Sequence, residues 1–199
     1  MRVAQAVDLS QIYRALGRLK NICFATFDAD KMEPTQQIWI SQALDIMIFK
    51  TEEKCVLWDI HNKSSESKEL ITGSSELTTL NSEALAKVAK TMEAPWGLLP
   101  FDDMSQVPPD ATWQHVAAEN IETTIPHTRV YDLMWTEKTL AGFVAHNKWR
   151  GYIDIDTKLP RRVEQWQKRS GEEYELTTVI KVTYPTAAEI QAVVNDMGF

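Results

Sequence analysis

The stretch that decides the fold is Gln36-Gln37-Ile38-Trp39-Ile40-Ser41-Gln42-Ala43-Leu44-Asp45-Ile46-Met47-Ile48-Phe49-Lys50-Thr51-Glu52-Glu53-Lys54-Cys55-Val56-Leu57-Trp58-Asp59-Ile60. Its period is two, that of an extended strand, and polar breaks at Ser41-Gln42-Ala43 and Glu52-Glu53-Lys54 cut it into short lengths. Connections this short join antiparallel neighbours, because a parallel crossover needs a dozen residues or more. Ile46 and Ile48 face one side while Met47 and Phe49 face the other, so this part of the sheet is covered twice or lines a cavity.

Reading outward, Ile22–Asp28, Gln36–Gln42, Asp45–Thr51, Cys55–Ile60 and Glu69–Thr72 are five successive strands, with further turns at Asp30-Lys31 and from Asn62 to Ser67. Before them lies a helix over 8–20. Asp8 and Gln11 have capping-box spacing, Leu9, Ile12, Tyr13, Leu16 and Leu19 share a face, and Gly17 weakens the last turn. After them Leu85, Val88, Ala89 and Met92 mark a second helix capped by Asn81 or Ser82 and stopped by Pro95. The helix and apolar loop together span 82–109. The loop carries Trp96-Gly97-Leu98-Leu99-Pro100-Phe101, which must pack onto something or act as a lid.

Period two returns over Val116–Thr124, Thr128–Thr136, Gly142–Ile155, Pro160–Lys168 and Glu173–Thr183. Arg129, Tyr131, Leu133 and Trp135 share one face, as do Trp149, Gly151, Ile153 and Ile155. Thr186 and Glu189 form a second capping-box pattern, opening a C-terminal helix over 186–197 with Ile190, Val193, Val194 and Met197 as its stripe. The whole reads as one α+β domain of 199 residues with about ten antiparallel strands.

A formal net charge of −7 would repel a polyanion, so nucleic acid is not an expected partner. Cys23 and Cys55 lie in apolar strand-like runs and read as small buried hydrophobes; pairing would need their Cα atoms within ~7 Å. Of the seven tryptophans, the first reading is a core built with large aromatics, and the sharper one is a concave wall.

Chemistry leaves little mark. His61, His115, His127 and His146 show no metal-ligand spacing; Asp59 and His61, two apart on a strand, share a side and read as solvated strand-end residues. There is no Gly-x-Ser-x-Gly elbow and no glycine-rich phosphate loop. The acid pair Asp154/Asp156 flanks a hairpin turn, where exposed acids are routine. The expectation is a non-enzyme without cofactor or metal.

The hairpin Trp149-Arg150-Gly151-Tyr152-Ile153-Asp154-Ile155-Asp156-Thr157-Lys158-Leu159-Pro160-Arg161-Arg162-Val163-Glu164 resembles that of the LolA-like superfamily, in which a strand ending in Asp and a Thr-x-Leu-Pro turn lead into a strand with basic residues and a glutamate. The N-terminal half is similar in plan only. The resemblance implies an antiparallel half-barrel with the N-terminal, central and C-terminal helices on its concave face, and a non-catalytic role outside the cytoplasm. A lipid, a lipoprotein acyl chain or an envelope protein partner would be bound there. The hairpin carries no motif that transfers a functional residue; the Trp-rich two-faced sheet and the Trp96–Phe101 loop make Trp39, Phe49, Trp58, Trp96, Trp135 and Trp149 the candidate wall residues.

The alternatives are a solid-core sensor module of a membrane-anchored regulator and, third, an enzyme built around Asp59, His61 or His146. No apolar run approaches the ~20 residues of a transmembrane helix and no export signal opens the chain. The missing export signal departs from the superfamily's pattern; the resemblance still implies an extracytoplasmic setting, with a leader or anchor missing before a first helix that begins so soon after Met1, the alternative being cytoplasmic.

Overall fold

A computed structural model describes every residue except 1–6, 29–30, 118, 120, 122, 139–141, 143 and 170–172. In chain order the elements begin with α1 (Leu9–Leu16), β1 (Asn21–Asp28), β2 (Gln36–Ser41), β3 (Ile46–Thr51) and β4 (Lys54–Asp59). There follow β5 (Ser64–Glu69), β6 (Ser75–Thr79), α2 (Ser82–Thr91) and a short 3-10 turn at Met104–Gln106. The last are β7 (Thr112–His115), β8 (Thr128–Lys138), β9 (Val144–Asp154), β10 (Pro160–Arg169), β11 (Glu175–Thr183) and α3 (Ala187–Asp196). Among the described residues the protein is α+β, with an antiparallel sheet of eleven strands. It divides into two compact units, Leu19–Trp96 with Val182–Phe199, and Met1–Arg18 with Gly97–Lys181.

In the unit built from Leu19–Trp96 and Val182–Phe199, β1 to β6 pair in sequence order as the meander expected from the period-two run. The register sets Trp39 opposite Ile48 and Ile48 opposite Leu57, so these three share a face. On it Ile190 and Val194 of α3 pack against Ile46, Ile48 and Cys55, with Trp39, Leu57, Val193 and Met197 around them. Helix α3 starts where the capping box places it, Thr186 and Glu189 satisfying each other's amides. Ile46, Met47 and Ile48 are all buried, so β3 is covered on both faces. Cys23 and Cys55 are free thiols, each pushed up in pKa by burial, and Cys55 Sγ lies 3.2 Å from Met197 Sδ.

The polar strands depart from the sequence expectation. Ser64–Glu69 forms β5 where a turn was expected, and the turn falls after it, on residues expected as the strand Glu69–Thr72. Ser64-Ser65-Glu66-Ser67-Lys68-Glu69 has no apolar member to show a period; its order comes from the ladder to β4. Strand β6 is exposed throughout and equally silent in pattern. Likewise, the strand preceding β8 is Thr112–His115, not Val116–Thr124; three of those residues lie outside the described ones, and Val116 is a buried anchor beyond the strand. Helix α1 ends at Leu16 with Gly17 as its cap, four residues before the expected end at Lys20.

In the unit built from Met1–Arg18 and Gly97–Lys181, β7 to β10 and β11 as far as Lys181 are again neighbours in sequence order. Leu9, Ile12 and Leu16 bury the apolar stripe of α1. Just before it, the Val7 amide donates to the Tyr131 hydroxyl (2.8 Å) and the Val7 carbonyl accepts from Trp113 Nε1 (2.9 Å). Trp113 stacks on Tyr131 at 5.0 Å and lies 6.2 Å from Trp149. Trp149, 1% exposed, donates its indole N–H to the Leu98 carbonyl (2.9 Å).

The seat of Trp149 is Gly151. A Cβ added there would meet the Trp149 ring at 2.3 Å, closer than any side chain tolerates. Overpacking a filled core costs ~1–3 kcal/mol. Gly151→Ala is therefore expected to lower the unfolding free energy by about that amount in denaturant titration. A neutral result would mean that the ring does not lie across the glycine.

Candidate functional site

Strands β8, β9 and β10 put Trp135, Asn147 and Gln167 in one cross-strand row, and Leu133, Trp149 and Gln165 in the next. Alternation turns all six side chains to the same face. Over the outer row opens a cleft of about 340 Å³, edged by Pro100 on one side and Thr177 on the other. The main-chain carbonyl of Phe101, next to Pro100, accepts from the Tyr13 hydroxyl (2.9 Å), and the Phe101 ring meets Trp135 edge-on at 5.2 Å. Burial, then the nearby carboxylates of Asp103 and Asp102, push the Tyr13 hydroxyl up in pKa, so it stays a donor.

Thr177 reaches the cleft because β11 slips by one residue against β10. Gln165 pairs with Thr178 and Trp166 with Leu176, leaving Thr177 over, with its hydroxyl donating to the Gln165 carbonyl (2.9 Å). On the cleft side Gln167 Nε2 donates to Asn147 Oδ1 at 3.1 Å. Lys148 and Trp166 also border the cleft, but alternation sends their side chains to the opposite face, where the Lys148 ammonium lies 4.0 Å from the Trp166 ring centroid. Among the described residues the Trp166 indole nitrogen is the buried side-chain polar atom left without a partner.

That opposite face holds the charges. Arg150 grips the buried Asp132 with two bonds of 2.7 and 2.9 Å. Arg162 (2.8 Å) and the Tyr152 hydroxyl (3.1 Å) both reach Glu164. Burial first, and Glu164 second, push the Tyr152 hydroxyl up to about 12. Buried carboxylates held this way are matched by structural partners.

The sequence-selected wall residues separate. Trp135 and Trp149 line the cleft, Trp135 half-buried and Trp149 as its packed floor. Trp39, Phe49, Trp58 and Trp96 belong to the other unit and do not line it. There Trp39 faces α3, whereas Phe49 and Trp58, one register step away, point to the other side of the strands. Trp96 is buried and donates to the Met92 carbonyl (2.8 Å). Sequence reasoning missed Asn147, Gln165, Gln167 and Thr177. The signal for the first three was present: polar amides on alternate strand positions, Asn147 two residues before Trp149 and Gln165 two before Gln167.

The remaining polar pairs are turn chemistry. Asp59 accepts from the Asn62 amide and side chain (2.8 and 2.7 Å), and His61 is exposed. His127 meets Asp156 at 2.8 Å in solvent. Among the described residues no three His, Cys, Asp or Glu side chains cluster as metal ligands. A wider hollow of about 610 Å³ borders Lys31, Glu33, Lys50 and Glu52, but it is an open gap between charged loop ends without an aromatic floor.

A comparison with known families finds no matching model, and no curated protein matches the chain.

Asp154 organises the hairpin singled out in the sequence. It is 2% exposed, accepts from the Asp156 and Thr157 amides (3.1 and 2.9 Å) and the Thr157 hydroxyl (3.0 Å), and pairs with Arg161 (2.8 Å). Burial alone would raise its pKa; the bonds from Thr157, Arg161 and Asp156 outweigh burial and hold it well below the usual carboxylate range. A folded pKa below the unfolded one gives stability present above pH ~4 and lost as pH falls through the folded value. Asp154→Asn should cost ~1.5–3 kcal/mol at neutral pH, with the gap to the parent protein narrowing below pH ~4 in chemical denaturation. A gap independent of pH would contradict this.

Proposed function

We propose that this chain is a non-catalytic binding domain whose cleft over β8–β10 receives a small uncharged ligand, or one uncharged segment of a protein partner. The observation that carries the reading is the half-buried Trp135, with the amide of Asn147 beside it and that of Gln167 beyond, open to solvent next to the packed Trp149. Binding sites join an apolar floor to a few polar groups that fix orientation, and ~300–1,000 Å³ is their usual size, so this one suits a small ligand. Every side chain that alternation turns into the cleft is neutral, so binding a charged group there would strip its hydration without a counter-ion.

The likeness of the Trp149–Glu164 hairpin to LolA-like proteins supports a carrier or sensor role outside the cytoplasm. It brings the acyl chain as one ligand, and Pro100 and Trp135 suit the apolar part of such a molecule. The amides favour a ligand with polar edges. No helix among the described residues is long and apolar enough to cross a membrane.

A second reading, a solid-core interaction module, is favoured by the indoles of Trp96, Trp113 and Trp149, each donating to a main-chain carbonyl as core residues do. Native mass spectrometry of the protein from its own cells separates the two. The cleft reading expects a small-molecule adduct that Trp135→Ala loses while its unfolding midpoint stays near the parent's; adduct-free protein with a Trp135→Ala midpoint far below the parent's supports the solid core.

A further inference from the structure

Resting on the cleft reading, we infer that the ligand class is a neutral, hydroxyl-rich ring, a sugar residue of a glycan, seated on Trp135. The cross-strand row places a flat indole beside two carboxamides, Asn147 next and Gln167 beyond it, with Gln165 one row inward and the Thr177 hydroxyl at the rim. Each part matches one property of a pyranose. The ring's C–H face is weakly positive and apolar and suits the negative face of an indole. Its edge carries hydroxyls that each donate and accept, and a carboxamide presents both a donor NH₂ and an acceptor oxygen.

The internal bond from Gln167 Nε2 to Asn147 Oδ1 fixes the pair with Asn147 Nδ2 and Gln167 Oε1 left to face a ligand as one donor and one acceptor. Gln165 adds a third amide, placed by its pairing with the buried Trp149. The platform is braced at one edge: Phe101 and Trp135 meet edge-on, and the Tyr13 bond ties down the Phe101 main chain. A site that need not reorganise loses less entropy on binding.

An acyl chain would leave these three amides facing hydrocarbon without partners, and such desolvated groups cost affinity. A charged ligand finds its counter-charges on the other face, where Asp132 and Glu164 already hold Arg150 and Arg162.

The test is titration of the full-length ¹⁵N-labelled protein with maltotriose, cellotriose and triacetylchitotriose, following tryptophan indole signals by NMR. Parallel arms use an uncharged Ser/Asn peptide and a neutral alkyl glycerol. At least one sugar should move the Trp135 indole signal saturably while the Trp96 signal stays in place. Gln165→Ala and Gln167→Ala, both at the strand surface, should weaken that sugar about tenfold each, the scale of one lost well-aligned hydrogen-bond partner. Trp135→Ala should remove the response. Saturable movement by the peptide or the alkyl glycerol, with none by any sugar, overturns the sugar assignment and leaves the cleft as a site. A Trp135 signal unmoved by every probe overturns both.

Discussion

The contact on which the Gly97–Lys181 unit depends is the Trp149 ring lying across Gly151. One side chain there performs several tasks. Its ring sits beside Trp113, itself stacked on Tyr131, and its indole N–H fixes the Leu98 carbonyl of the apolar loop. Val7, at the entrance to α1, is tied to Trp113 and Tyr131. Helix, loop and strands are thereby located by a single aromatic group, and what lies one row outward is positioned without being buried. Trp135 is presented because Trp149 is hidden.

The two faces of β8–β10 divide their work by the same alternation. One step of the strand buries or pairs its charges, as in Asp132–Arg150 and Glu164–Arg162. The next step carries amides and indoles. Charged groups enclosed with their partners add little net stability but are costly to break, while the row carrying Trp135 stays open. On a protein of net charge −7, the row Trp135, Asn147 and Gln167 is uncharged, with Glu137 one row further along β8.

The antiparallel class was legible wherever a strand had one or two apolar faces. Ile22–Asp28 and Gln36–Ile60 show the period plainly, and both capping boxes place helix starts to the residue. Ser64–Glu69 and Ser75–Thr79 were silent, since an exposed or half-exposed strand needs only backbone partners. The aromatic wall was half legible. Alternation assigned Trp135 to the face of Tyr131, but each tryptophan looks the same in sequence whether it fills a core or lines a cleft. Trp96 and Trp149 fill; Trp135 lines. Thr177 depended on a bulge between β10 and β11, a one-residue slip that no pattern in either strand announces.

The central claim is that the cleft over Trp135, Asn147 and Gln167 is where this chain receives a ligand. Crystals soaked separately in several small neutral organic solvents test it most directly, since such probes gather where a surface combines an apolar floor with open hydrogen-bonding groups. Different probes are predicted to superpose over Trp135, beside Asn147. Probes that leave that cleft empty and converge elsewhere would contradict it.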